Sequence, residues 1–313
     1  MSPSSAARFS KADGAALPSK MEWPTVAVGV AIYAGWLGAT FFHAAIPLPL
    51  RVGLGGWLIA WHGSLQHEAI HGHPTPWRRV NRMLAAWPLS LWLPFELYRR
   101  SHLEHHAAEH LTLPGSDPES RYLAPGRGPV ARMRLVLEAV QASLVGRLAL
   151  GPLVTVGGFL AGEARGVISD PARRGPWAVH LALVAVVLAW VKWACGMSLA
   201  EYVLVFVYPG TALSLLRAFA EHRADADPAR RIAVVECAPL LGLLFLNNNL
   251  HVAHHLRPGA AWNRLPAIWR GERARVLAGG GPVYAGYREV FARYLFRPHD
   301  RLIHPELDGR LET

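Results

Sequence analysis

The stretch "HEAIHGH", His67–His73, closes a long apolar run. Two more histidine-dense stretches echo it, "HLEHH" at 102–106 and "HVAHH" at 251–255. In each, the imidazoles recur at helical spacing. His67 and His71 are i, i+4. His102, His105 and His106 are i, i+3, i+4, and so are His251, His254 and His255. On a helix each set lies on one face. Adjacent histidines diverge by about 100° on a helix, so His105 and His106 need not serve the same ion. One metal uses only a few ligands, so eight imidazoles point to a dinuclear centre, and imidazole suits iron, zinc, copper and nickel. His222, in "AFAEHR", is a ninth candidate ligand. Asn247 could act through a water, and Glu68, Glu104 and Glu221 could orient imidazoles through their second nitrogen. "HEAIH" alone also fits a zinc-protease pattern, but two further clusters argue against a single-zinc site. His43, His180, His299 and His304 read as surface histidines without a role; His62 and His110 read as outside the ligand set, and His73 stays open.

The rest of the chain explains why such clusters sit beside apolar runs. Of 313 residues 52% are hydrophobic and 17% charged, against ~25% charged in soluble domains. A membrane crossing needs ~20 mostly apolar residues. Four stretches qualify, residues 24–44, 46–66, 176–196 and 198–219, in two tight hairpins. Two shorter runs, 83–98 and 148–161, read as re-entrant, interfacial or buried. The expected architecture is all-α: four spans under a cytoplasmic helical cap that carries the dimetal site. It divides into a flexible tail (1–23), the membrane domain (24–270) and a C-terminal extension of that domain (271–313). The tail is not expected to be a cleaved signal. Of 32 Lys and Arg only Arg51 and Lys192 fall near the tight hairpin ends. The positive-inside rule then places both termini and all histidine clusters on the cytoplasmic side of an inner membrane. The net charge of +10 suits anionic lipid headgroups; no nucleic-acid-binding motif is present. Cys195 and Cys237 read as small buried hydrophobes rather than a disulfide.

The three boxes, "HEAIH", "HLEHH" and "HVAHH", resemble in order and spacing those of the membrane fatty acid desaturase and hydroxylase superfamily; "DPES" at 117–120 and "NNNLHVAHHLRPGAAWNRLP" at 247–266 are similar to its bacterial desaturase branch. The resemblance implies a diiron centre that uses O2 as co-substrate. Its ligands would be His67, His71, His102, His105, His106, His222, His251, His254 and His255. It also implies an acyl-lipid or acyl-thioester substrate and electrons from a ferredoxin, rubredoxin or cytochrome b5. No fused haem or iron–sulfur motif is seen, so the donor would be a separate protein, and Arg99, Arg100, Arg270, Arg273 and Arg275 could dock it. Ser64, Trp61, Trp87, Trp92 and Phe95 are candidate tunnel lining. Desaturation is the first expectation. Oxygen insertion, as in hydroxylases and carotenoid ketolases, is the alternative with the same oxidant. A metal transporter would need ligands and acids at mid-membrane, and a haem protein far fewer histidines.

Overall fold

The structure, a computed structural model, describes residues 18–308. Helix α1, Trp23–Phe41, and helix α2, Leu48–Ile70, form the first hairpin. Pro24 and Pro49 sit in their first turns, where a missing N–H costs no intrahelical bond. Helices α3, Arg78–Ala85, and α4, Phe95–Ala107, follow; Pro88 and Pro94 interrupt the apolar run between them, which stays irregular and within the protein. Helices α5, Pro129–Val140, α6, Leu144–Ala149, and α7, Gly151–Ser169, lead to the second hairpin. Its first arm is α8, Arg174–Ala189, continued by a π-helical turn to Ala194. Its second arm is α9, Leu199–Tyr202, a π-helical turn, Val203–Val207, and α10, Tyr208–Glu221.

Among the described residues three helices are long and apolar enough to cross a membrane: Trp23–Phe41, Pro171–Ala194 and Leu199–Glu221. The expected second span forms a helix of sufficient length, α2, but Arg51, His62 and the Gln66–Glu68 turn make it more polar than the other three. The run expected at 148–161 is longer than foreseen, because α7 continues through "EARGVIS" to Ser169.

The two hairpins pack through small residues. A Cβ on Gly55 would lie 2.8 Å from the Phe206 ring, and Ile59 occupies the space a Cβ on Gly210 would need. This lets the α2 and α10 backbones approach closely, as membrane helices require where no hydrophobic effect drives them together. Some buried polar groups tie the elements together: Trp36 Nε1 donates to Tyr202 Oη (2.9 Å), and Tyr202 donates to the Leu89 carbonyl (2.7 Å). At the far end of the hairpins Arg51 donates to Glu201 (2.5 Å), which also stands 3.2 Å from His43.

Beyond α10 the chain is not purely helical, a departure from the all-α expectation. Strand β1, Val234–Cys237, pairs in parallel with β2, Val283–Gly286, in the register Val234–Val283 and Val235–Tyr284. Around them lie α11, Pro239–Leu244, α12, His251–Leu256, α13, Leu265–Ala278, α14, Tyr287–Tyr294, and α15, Pro305–Asp308. Cys237, at the end of β1, is exposed and Cys195 half-buried, so neither is the buried hydrophobe the sequence suggested. His180, His299 and His304 are buried rather than superficial. His180 donates to the Leu91 carbonyl (2.9 Å), His299 packs on Phe219 and His304 meets Thr112 Oγ1 at 3.1 Å. An isolated polar letter in a sequence does not show that another element will fold over it. Residues 1–17 of the expected flexible tail lie outside the described residues.

Candidate metal centre

Three short helical segments and one helix end supply the site. The first box lies on the last turn of α2: His67 is helical and His71 caps the helix. The second lies on the last turns of α4. The third is α12 itself, entered from a turn in which Leu246 and Asn247 take positive φ (48° and 55°). His222 follows α10 and is pinned by a bridge to Ile232. The nine imidazoles form two groups. His67, His71, His102, His106 and His254 make one; His105, His222, His251 and His255 make the other, and within each group the ligand atoms lie within 4.8 Å of one another. Neighbours in sequence separate as helical geometry requires: His105 and His106 go to different groups, as do His254 and His255.

The Nε2 atoms crowd each other. His102 Nε2 stands 3.1 Å from both His71 Nε2 and His106 Nε2, and His106 Nε2 is 2.9 Å from His254 Nε2. In the other group His251 Nε2 faces His222 Nε2 at 2.8 Å and His255 Nε2 at 3.1 Å. Meanwhile several Nδ1 atoms are committed to donation. His102 donates to Glu119 (3.1 Å), His105 to Asp117 (2.8 Å), His251 to Asn248 Oδ1 (3.3 Å) and His222 to the Arg231 carbonyl (3.3 Å). A neutral imidazole whose Nδ1 carries the proton presents a bare lone pair at Nε2. The buried Nε2 atoms of His67 and His105 have no partner in the protein. Converging lone pairs without donors fit divalent metal ions, with the carboxylates setting tautomer and ring orientation.

Electrostatics favour the ligand form. Burial first, and neighbouring imidazoles second, hold His71, His251, His254 and His255 well below the ordinary histidine range. Burial likewise pushes His222 down to about 3. For His105 burial lowers the pKa, but the bond to Asp117 and the nearby carboxylates outweigh it and the net direction is upward; a metal at Nε2 would take the place of that extra proton. Burial pushes Asp117 up, yet the His105 bond and two backbone N–H donors, from Thr112 and Glu119, bring it below the usual carboxylate range.

The flanking residues sort differently from expectation. Glu221 does reach the site, lying 3.5 Å from His251 Nδ1 and accepting from Asn248 Nδ2 (2.9 Å). Glu68 lies 4.0 Å from His67 Nδ1 and accepts from the Trp262 backbone (3.1 Å). Glu104 is exposed and takes no part. Asn247 donates to the Trp262 carbonyl (3.1 Å) and shapes the turn, rather than facing the imidazoles. His73 Nδ1 stands 2.8 Å from Glu22 and His62 meets Tyr33 Oη (3.2 Å), and neither belongs to a metal group. Sequence reasoning gave no role to Asp117, Glu119 or Asn248, although "DPES" and "NNN" were visible beside the boxes. Carboxylates outside helical register with the histidines cannot be paired by spacing.

A comparison with protein families matches the fatty acid desaturase profile over residues 41–287, which takes in every imidazole of both groups. The chain belongs to the fatty acid desaturase family. A comparison with curated proteins gave no match. Membership makes this desaturase-family protein an oxidoreductase of the desaturase or hydroxylase type at a membrane, consistent with its three apolar helices and two metal-capable histidine groups. The family implies an acyl substrate and a redox partner in general terms.

Proposed function

We propose that the protein is an O2-dependent diiron desaturase that introduces a C=C bond into an acyl chain. The observation that carries the reading is the division of nine imidazoles into two adjacent groups, with carboxylates or amides on the outer nitrogens. In balance, two hydrogens leave adjacent methylenes and O2 becomes two waters, with two electrons and two protons from the substrate, two electrons from a separate donor protein and two protons from solvent. Iron bound to these imidazoles would supply the oxidising power that no side chain possesses. The protein does the remaining work. Asp117 and Glu119 hold protons on Nδ1 of His105 and His102, keeping Nε2 free. Asn248 and Glu221 orient His251. Seven of the nine imidazoles are buried and the other two half-buried, which keeps water from the ligand atoms. The charge distribution, with 30 of 32 Lys and Arg away from the tight hairpin ends, supports a cytoplasmic metal site, reached by the electron donor through exposed arginines such as Arg273 and Arg275.

The test is to co-express the wild type and His105→Ala with a ferredoxin and reductase and to profile lipids by gas chromatography–mass spectrometry. A product lighter by two hydrogens, absent from the variant, is expected. A product heavier by one oxygen atom would replace desaturation by hydroxylation. A fully active His105→Ala protein would remove the diiron assignment.

A further inference from the structure

The mostly apolar cavity between α2 and α10, about 180 Å3, has Ser64 and Trp92 of the candidate tunnel residues on its wall, but not Trp61, Trp87 or Phe95. A polar cavity of about 220 Å3 adjoins it, with His102, His222, His251 and Phe219 on its wall. The His299 ring packs on Phe219, with centroids 4.7 Å apart. His299 belongs to a chain of buried groups that the metal centre does not use.

Tyr284 Oη stands 3.0 Å from His299 Nε2, and His299 Nδ1 stands 2.7 Å from Asp300 Oδ2. Asp300 is held ionised by its partners and can only accept, so Nδ1 carries the ring proton and donates it. Arg121 Nη2, 3.1 Å from the same Nδ1, donates to Asp300 instead (2.9 Å). Nε2 is then a bare lone pair, and it accepts from the Tyr284 phenol. Burial holds His299 below the ordinary histidine range and pushes Tyr284 up, so at neutral pH the ring is uncharged and the phenol keeps its proton. The other buried tyrosines are placed differently. Tyr202 donates to a backbone carbonyl (2.7 Å), Tyr122 donates to Asp300 (2.6 Å), and Tyr287 Oη has no partner. A carbonyl and an already stabilised carboxylate are poor bases, whereas a neutral imidazole backed by a carboxylate is a good one.

Two connections tie Tyr284 and His299 to the metal centre. In the sheet Tyr284 lies opposite Val235, whose N–H donates to the Asn249 carbonyl (2.9 Å), and Asn249 is two residues before His251. Phe219, against His299, is three residues before His222. Towards the surface, the half-buried Tyr294 ring packs on His299 with centroids 4.6 Å apart.

We propose that Tyr284 is a redox-active tyrosine that discharges the metal centre when it is oxidised with no substrate in place. This rests on the diiron reading above and adds a protective electron transfer to it. Tyr284 gives one electron to the O2-oxidised centre and its proton to His299 Nε2. The phenol O–H bond breaks and an N–H bond forms, leaving a neutral tyrosyl radical and an imidazolium paired with Asp300. One electron from the separate donor protein, with the proton returned by His299, restores the phenol. A second passage removes the second oxidising equivalent. The base is needed because an oxidised phenol is a strong acid, so the electron leaves far more easily when an acceptor for the proton stands at hydrogen-bond distance. The protection is needed because an oxidant able to attack a methylene also attacks the imidazoles that hold it.

The experiment takes the full-length, iron-loaded protein in phosphatidylcholine nanodiscs, reduces it with dithionite, mixes it with O2 without substrate, and freezes it for electron paramagnetic resonance. A tyrosyl radical is expected, with a narrower signal when the protein is grown on ring-deuterated tyrosine. Tyr284→Phe, which keeps the ring and its packing, should lose the signal. Tyr287→Phe, which removes a phenol without a proton acceptor, should keep it. His299→Gln leaves the phenol but removes the base, and should also lose it. Signals are scored per bound iron, so a variant that loads poorly is still decisive. A radical that survives Tyr284→Phe or His299→Gln would overturn the assignment. Iron oxidised by O2 in the wild type, seen by Mössbauer spectroscopy, without a tyrosyl signal would overturn the proposal and leave the diiron reading in place. Failure to bind a pair of irons would overturn both.

Discussion

Asp117 accepts from the His105 ring (2.8 Å) and from the backbone N–H groups of Thr112 and Glu119 (2.8 and 2.9 Å). Those two backbone donors hold the carboxylate independently of the imidazole, so the ring takes its orientation from the loop. Asp117→Asn keeps the shape but can present an amide N–H to a ring nitrogen that must itself donate. Metal affinity is expected to fall about 10–100-fold, read by competition with a chromophoric chelator, while membrane insertion is unchanged; undiminished affinity would show that Asp117 has no part in setting the ring. At this scale the sequence was informative about ligands and silent about their partners. Histidine spacing of three and four is a property of one helix, whereas Asp117 comes to His105 across a turn with Thr112 at φ 68°.

At the scale of elements, the contact of α2 with α10 sets the first box, which follows α2, beside the group that holds His222, which follows α10. The contact depends on absent side chains: Gly210 gives its place to Ile59, and Gly55 to Phe206. Gly210→Leu would force the helices apart, and overpacking of this kind costs about 1–3 kcal/mol. Because α2 and α10 both lead into the histidine groups, the expected outcome is loss of metal together with a lower thermal midpoint in detergent; a variant that bound metal normally would show that the site tolerates a wider gap. The hydrophobic runs made these helices legible with bounds close to those observed. Helix α2 is more polar because its last turns carry Gln66, His67 and Glu68 into the histidine cluster. The β1–β2 pair was not legible, since its four-residue strands lie 49 positions apart, Val234 to Val283, and neither has a long alternating pattern.

For the whole molecule, the C-terminal segment acts as a clasp over the site. Asp300 accepts from Tyr122 Oη (2.6 Å), His299 Nδ1 (2.7 Å), Arg121 (2.9 Å) and Arg223 (3.2 Å). Arg121 in turn donates to the His222 carbonyl (3.2 Å). Burial pushes the Asp300 carboxyl up, but its bond to His299 and the charges of His299 and Arg121 hold it below the usual range. A depressed folded pKa means that this contribution is complete above the unfolded value, ~4, and is lost as pH falls towards the folded one. Asp300→Asn should therefore destabilise the protein at neutral pH by about 3–5 kcal/mol and flatten the acid limb of thermal midpoint against pH; parallel curves for variant and wild type would exclude Asp300 as the source. What the sequence determined by itself was the chemistry: apolar runs long enough to cross a membrane, and imidazoles at helical spacing, both local properties fixed within one turn or one helix. What only the tertiary structure decided was the pairing: which imidazoles share a group, which carboxylate holds each ring, and which histidines are buried without serving a metal. Those contacts join residues as distant as Thr112 and His304, 192 positions apart, and no local period encodes them, because they arise only when separate elements pack together.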